Sequence, residues 1–305
     1  MAIDGSLPPD PHPAGPPADV PGGLAARPRA LRQRIRQNTT LKVGLAILGV
    51  LILIAVFAPL LSPFGPGELS VEERFEPPSA RHPFGTDRLG VDIMSRTFYA
   101  ARLDLGIALA SVAIGATAGI PIGVLLGYFG GWFDSFLMRV LEVVQSFPAI
   151  VLAMTVVAAF GQNKLIIVAV IAFIAFPYYV RLVRSEAISK RKWLFIEAAE
   201  AVGNGRLRVA FVHLLPNSIT PGVVYASLNA GFAILVAATL GFLGLGIGPG
   251  EAEWGLMVRE GSRGIINGEW WLTVFPGLFI TATVGAFYMI GDGLRDILDP
   301  TTPVD

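Results

Sequence analysis

From Leu105 to Gly127 the chain runs without a single charged residue. Comparable, largely apolar runs recur at Leu41 to Leu61, Met138 to Phe160, Leu165 to Leu182, Pro221 to Leu243 and Trp271 to Ile290. About 20 apolar residues cross the hydrocarbon core of a bilayer, where a helix satisfies its own backbone hydrogen bonds. The pattern predicts an all-α integral membrane protein with six transmembrane helices. Charged residues are only 15% of the chain, against about a quarter in soluble domains. The formal net charge is zero, so nothing electrostatic points to nucleic acid. With no cysteine, disulfides, thiolate metal sites and cysteine nucleophiles are excluded.

The punctuation between the runs sets the organisation. Residues 1–37 read as a disordered, Pro- and Gly-rich cytoplasmic tail with a basic end, Arg27 to Arg36, continued by Lys42. The segment 38–61 is the first, uncleaved span, too long and too far from the start to be a signal peptide. Residues 62–103 form an extracytoplasmic segment broken by Pro63, Pro66, Pro77, Pro78 and Pro83, whose last third, with Ile93, Met94, Phe98 and Ala101 on one face, reads as an amphipathic helix. Residues 104–298 hold the remaining five spans, and 299–305 form a tail. Small residues at Gly106, Ala110, Gly115, Ala118 and Gly119 mark a close-packing face. The third span is interrupted at Pro148, the fourth carries Pro177 and the sixth Pro276. Basic residues concentrate at Arg27 to Lys42 and Arg181 to Arg208, which puts the N-terminus, that second stretch and the C-terminus in the cytoplasm.

That second stretch, within residues 186–217, is the most polar interruption of the core. Ile188, Trp193, Ile196 and Ala199 recur at helical spacing, Gly203 is placed to end the helix in a left-handed conformation, and Leu207, Phe211 and Leu214 form a second stripe before Pro216. It reads as a helical hairpin built to dock.

No lysine stands in a phosphate-binding loop: Lys42, Lys164, Lys190 and Lys192 are followed by Val43, Leu165, Arg191 and Trp193. The spans offer no coupling carboxylate at mid-membrane, since Asp104, Asp134, Arg139, Arg181 and Arg184 sit at span ends and Glu142 is one turn from Arg139. His82, Asp87 and Asp92 match no metal-ligand spacing. The driving force must come from outside the chain.

Glu197-Ala198-Ala199, then Gly203, then Leu215-Pro216, resemble the EAA loop of ABC-importer membrane subunits, with His213 where that pattern carries Ile. HPFGTDRLGVD (His82 to Asp92), GYFGGWFD (Gly127 to Asp134), SFP (Ser146 to Pro148), HLLPN (His213 to Asn217), FLGLG (Phe242 to Gly246), EWG (Glu253 to Gly255) and GDGLRDILDP (Gly291 to Pro300) narrow the likeness to the second permease of dipeptide and oligopeptide importers. Val91 stands where that pattern carries a basic residue. The resemblance implies a subunit of the bacterial cytoplasmic (inner) membrane with no cofactor and no enzymatic activity of its own. It would pair with a homologous permease, two ATP-binding ATPase subunits and an extracytoplasmic solute-binding protein, and move di- or oligopeptides, nickel or another small solute. Glu197, Ala198, Ala199, Gly203, Leu215 and Pro216 would couple to the ATPase. The outer loops, Ser62 to Arg102 and Gly244 to Trp270, with His82, Asp87 and Trp254, would meet the binding protein. A proton-coupled carrier is the alternative of another class, and a non-transporting scaffold the third.

Overall fold

The structure, a computed structural model, describes residues 35–248 and 251–298. By internal contacts the chain divides into residues 1–37, of which a helical turn at 35–37 is described, and residues 38–305, to which everything below refers. Of the tail expected to be disordered at 1–37, residues 1–34 lie outside the described residues, as does the tail 299–305. Among the described residues no strand forms; the nearest approach is an isolated bridge between Thr86 and Asp92.

Helix α1 (Thr39–Leu61) starts where the Asn38 side chain accepts the Leu41 N–H at 2.8 Å. Helix α2 (Ile93–Phe129) absorbs both the expected amphipathic segment and the second span into one rod of 37 residues, about 55 Å at 1.5 Å per residue. Asp92 caps it by accepting the Ser95 N–H at 2.7 Å, and Asp104 does not end it because its carboxylate accepts the Trp254 N–H at 3.1 Å.

The third span is not straight. Helix α3 (Gly131–Gln145) and helix α4 (Ala149–Phe160) meet at an 84° bend over Ser146-Phe147-Pro148. Pro148 has no N–H to continue the ladder, and its ring disfavours a helical Phe147. Among the described residues five helices are long and apolar enough to cross a membrane, six if this bent pair counts as one. Helix α5 (Lys164–Lys190) overruns its expected end at Leu182, because Val183 and Ala187 are buried and Glu186 pairs with Lys190 at 2.7 Å. Ile188 thus belongs to this long helix and not to the hairpin.

Helix α6 (Leu194–Ala201) is followed by a continuous coil of helix over Arg206–Arg208, Val209–Leu214 and Leu215–Ser218, the middle part with π geometry. Pro216, expected to limit this helix, instead lies inside it. The wider π turn removes the clash between a proline ring and the preceding turn. Helices α7 (Thr220–Leu243), α8 (Trp254–Ser262) and α9 (Trp271–Leu298) complete the chain.

Helices α2 and α5 are the central pair, flanked by α7, with α9 packed on α7 and α1. Their contact is a row of glycines four residues apart: Gly115, Gly119, Gly123 and Gly127. A Cβ on Gly119 would lie 2.6 Å from the Tyr179 Cβ, on Gly123 2.7 Å from the Val180 carbonyl oxygen, and on Gly127 2.6 Å from the Ala187 Cβ. The sequence expectation includes Gly115 and Gly119 but also Gly106, which faces open space. Period four, and not smallness alone, selects the row that touches. Helix α3 is then held to α5 by a two-pronged ion pair, Arg184 Nε and Nη2 donating to the Asp134 carboxylate at 2.5 and 2.6 Å.

A leucine at position 123 must push two backbones apart. Gly123→Leu is expected to lower the thermal midpoint of the purified protein in detergent, with an overpacking cost of about 1–3 kcal/mol. Gly106→Ala should leave the midpoint level or raise it, by up to about 1 kcal/mol of helix propensity.

Candidate functional site

The hairpin grows out of the end of the central pair where α2 stops and α5 ends at Lys190. The Arg191 guanidinium donates to the carbonyls of Gly127 and Tyr128 at 3.1 and 3.4 Å, satisfying the last turn of α2 and setting a cation at its negative end. The Tyr128 hydroxyl donates to Glu200 on α6. Lys190 donates to the Asn217 carbonyl, tying the hairpin's exit to its entrance, and its ammonium stands 5.7 Å from the Trp193 ring.

One face of α6 is inside the protein. Ile196 and Ala199 pack with Val183, Ala187, Val209, Ala210 and Leu214. The other face is open: Leu194, Glu197, Ala198, Ala201 and Val202 are exposed, with Leu207 and Val212 beside them. The EAA triplet is therefore split, two residues out and one in. Of the stripe expected for the second half, Leu214 is buried while Leu207 and Phe211 point outward; Val209 and Ala210 take the inner positions. The π turn rotates the register and so exchanges the faces. His213 is half-buried and Leu214 beside it fills the apolar position. Leu215 is half-buried and Pro216 exposed.

Gly203 adopts φ +84°, with open space where a Cβ would be. Its N–H donates to the Glu200 carbonyl at 2.9 Å, and the Asn204 N–H to the Ala199 carbonyl at 3.3 Å. This pair of bonds is a Schellman stop, reinforced by the Asn204 side chain donating to the same Ala199 oxygen at 2.9 Å. The outcome is a compact apolar surface edged by Glu197, Arg206 and Arg208.

The outer segments give a different result. His82, Asp87 and Trp254, expected at a docking surface, have interior side chains, 1%, 9% and 0% exposed. His82 Nδ1 lies 2.9 Å from Asp92 Oδ1. Asp87 accepts the N–H groups of Leu89 and Val91 at 2.8 and 3.0 Å and one guanidinium contact from Arg96 at 3.3 Å. Arg96 also reaches Glu260 at 2.8 Å. The Trp254 indole donates to the Thr97 carbonyl at 3.0 Å. Trp271 is buried and donates to the Thr86 carbonyl at 3.2 Å, while Trp270 is half exposed. These residues lace residues 73–104 to α8 and α9. What they hold outward is Arg88, Leu89, Ile265, Ile266 and Trp270. Among the described residues no group of three ligating side chains could hold a metal ion. Glu142 pairs with Arg139 at 3.1 Å on the exposed side of α3.

Sequence reasoning passes over Glu253, which the structure buries against Gly241. It caps α8, accepting the N–H groups of Gly255 and Leu256, each at 2.7 Å. Its one signal is its place directly before Trp254-Gly255. Desolvation pushes its carboxyl from the ordinary 4.5 up to about 7, although the two N–H donors and Arg96 favour the ionised form. The folded state thus holds this proton more tightly than the unfolded chain, and the stabilisation is present below 4.5 and lost as pH rises towards 7. Glu253→Gln should flatten that fall, read as thermal midpoints measured across pH 5 to 8; a slope identical to the parent's would sink the assignment.

Residues 119–302 match the family described as binding-protein-dependent transport system inner membrane component, and residues 29–78 match the N-terminal TM domain of oligopeptide transport permease C. The dipeptide transport system permease protein DppC of Alkalihalophilus pseudofirmus is 42% identical over 95% of both chains. The probable D,D-dipeptide transport system permease protein DdpC of Escherichia coli is 40% identical over 83% of this chain and 85% of its own. Among solved structures, a chain of the MetNI methionine ABC transporter in an inward-facing conformation superposes with a TM-score of 0.55 at 18% identity, over 68% of this chain and 98% of that one.

Proposed function

The chain belongs to the family of binding-protein-dependent transport system inner membrane components, and from that premise we propose that it lines, with a homologous permease, the path of di- or oligopeptides through a bacterial cytoplasmic membrane. It is an integral membrane permease subunit of an ABC transport system and not an enzyme; ATPase and binding-protein partners are general to the family. The peptide substrate is carried over from relatives that are dipeptide permeases.

The observation that carries the mechanism is the split hairpin. Half of α6 is welded to α2 and α5, and half is an exposed apolar surface of the kind that marks protein contact. We take Glu197, Ala198, Ala201 and Val202 as the face that enters a groove on the ATPase, with Ala199 as its inner anchor. Gly203 makes the exit, and Leu215 and Pro216 close the loop in the segment that packs on α5 and α2. When two ATPase subunits close on ATP, the hairpin is drawn with them. Arg191, Tyr128 and Lys190 pass that displacement to α2 and α5 as one body, because the glycine row leaves no slack, and the Arg184–Asp134 pair carries α3 along. A rigid rocking of this kind alternates access.

The charge bias puts both termini and the hairpin in the cytoplasm. The outer face then presents Arg88, Leu89, Ile265, Ile266 and Trp270 to the solute-binding protein, with His82, Asp87 and Trp254 acting as the buried frame behind them. The expected domain limits, 38–61, 62–103 and 104–298, follow the same scheme, with the coupling loop at 186–217.

Gly203→Val tests the coupling role without a clash, since only its positive φ is disfavoured. A left-handed residue with a Cβ costs about 1–2 kcal/mol, so ATPase subunits should bind about fivefold to thirtyfold less tightly in co-purification, while the spans stay inserted. Full ATPase retention and normal peptide uptake would falsify the docking assignment.

A further inference from the structure

The elbow between α3 and α4 is exposed along Ser146, Phe147 and Pro148. It stands about 18 Å below the Gly161–Asn163 turn, counting the 12 residues of α4 at 1.5 Å each. Tyr178 lies 14 residues along α5 from the same turn, about 21 Å, so elbow and tyrosine share one level inside a core about 30 Å thick. Irregular backbone at such a depth is tolerated only where protein buries it or water reaches it. Here it is exposed, and polar groups gather beside it.

A cavity of about 50 Å³, large enough for water, is lined by Gln145, Phe147 and Tyr178 among others. The Gln145 side-chain nitrogen is buried without a partner. Tyr178, 45% exposed, stacks on Tyr225 with ring centroids 5.8 Å apart. Tyr225 in turn meets Tyr179 edge-on at 4.8 Å, and the Tyr179 hydroxyl contacts the Asn229 amide nitrogen at 3.4 Å. Asn229 is 1% exposed, and its carbonyl oxygen has no partner. Unpartnered amides in hydrocarbon are costly, and two of them buried directly behind the elbow and Tyr178 mark this side of the spans as polar.

We propose that the elbow Ser146–Pro148 and a polar strip of exposed Tyr178, backed by Gln145, Tyr225 and Asn229, form the wall of the translocation path, and that the exposed groups contact the peptide through its backbone amides. The strip carries hydrogen-bonding groups and aromatic faces and no charge; the nearest charge on this face of α5, Arg181, is one turn further along. Such a wall accepts amide groups whatever the charge of the peptide's side chains. A bent span lining the route fits the use of broken helices at transporter binding sites. The assignment rests on the permease reading proposed above.

Because the chain has no cysteine, an introduced thiol is the one thiol of this subunit, and its labelling is read on this subunit's own mass after separation from its partners. Ser146→Cys, a nearly isosteric change, and Tyr178→Cys are compared with Val56→Cys, on the exposed side of α1. Each is placed in the full transporter in lipid nanodiscs and treated with a charged methanethiosulfonate. Both elbow thiols should react at least tenfold faster than Val56→Cys, and turnover with binding protein, ATP and alanyl-alanine should slow the reaction. Labelling no faster than at Val56→Cys means lipid or a neighbouring subunit covers the strip, and overturns the proposal. Fast labelling that turnover leaves unchanged overturns it too, since water is then present without substrate. As an independent measure, Tyr178→Phe should raise the KM for alanyl-alanine and for dipeptides with acidic or basic side chains by similar factors; an unchanged KM counts against the contact. ATP hydrolysis by the parent complex, stimulated by loaded binding protein, checks the permease reading separately, and its absence would defeat that reading whatever the labelling shows.

Discussion

The row of glycines between α2 and α5 is the contact on which the other helices depend. In lipid there is no hydrophobic drive between two apolar helices, so association rests on close packing. Gly119, Gly123 and Gly127 bring α2 against the backbone and Cβ atoms of α5 so tightly that no side chain fits between them. This closeness brings the end of α2 within reach of Arg191. It also sets α2 and α5 at a fixed spacing, from which the hairpin hangs and against which α3 is pinned through Asp134 and Arg184.

Two irregularities interrupt this regular frame, and proline is at the centre of both. Pro148 breaks the third span into two helices at 84°. Pro216 sits in a helix that opens into a π turn ahead of it. The outcome differs because of surroundings. Around Pro216 the chain keeps Leu214 and Val209 buried in a continuous cluster, which rewards carrying the helix on. Around Pro148 the flanking residues are exposed, and nothing within the chain opposes the bend.

Much of the hairpin is legible in the amino-acid sequence. Ile196 and Ala199 share a face by spacing, and they are buried; Gly203 is placed for a left-handed turn and has φ +84°. The second half departs from its pattern at Leu207 and Phe211, since a period of 3.6 does not anticipate a π turn. The outer residues depart for another reason. His82, Asp87 and Trp254 look like surface groups beside glycines and prolines; His82 and Asp87 are folded inward onto partners within ten positions, Asp92, Leu89, Val91 and Arg96, while the Trp254 indole reaches Thr97, 157 positions away. Glu253 gives little local sign of its burial, because that burial comes from Gly241 on another helix.

The sequence by itself determined that this is a helical membrane protein, where its spans fall, that it carries no ATP-binding loop, and that a polar helical hairpin interrupts its core. Those properties are written in local composition, spacing and short motifs. Only the tertiary structure decided which apolar faces meet helices and which are left outward, because lipid and a neighbouring helix ask for the same apolar residues. It decided as well that the EAA triplet is divided between interior and surface, and that the outer polar residues frame a surface rather than form it. Each of these depends on groups distant in sequence whose hydrogen bonds or close contacts override what the local pattern favours.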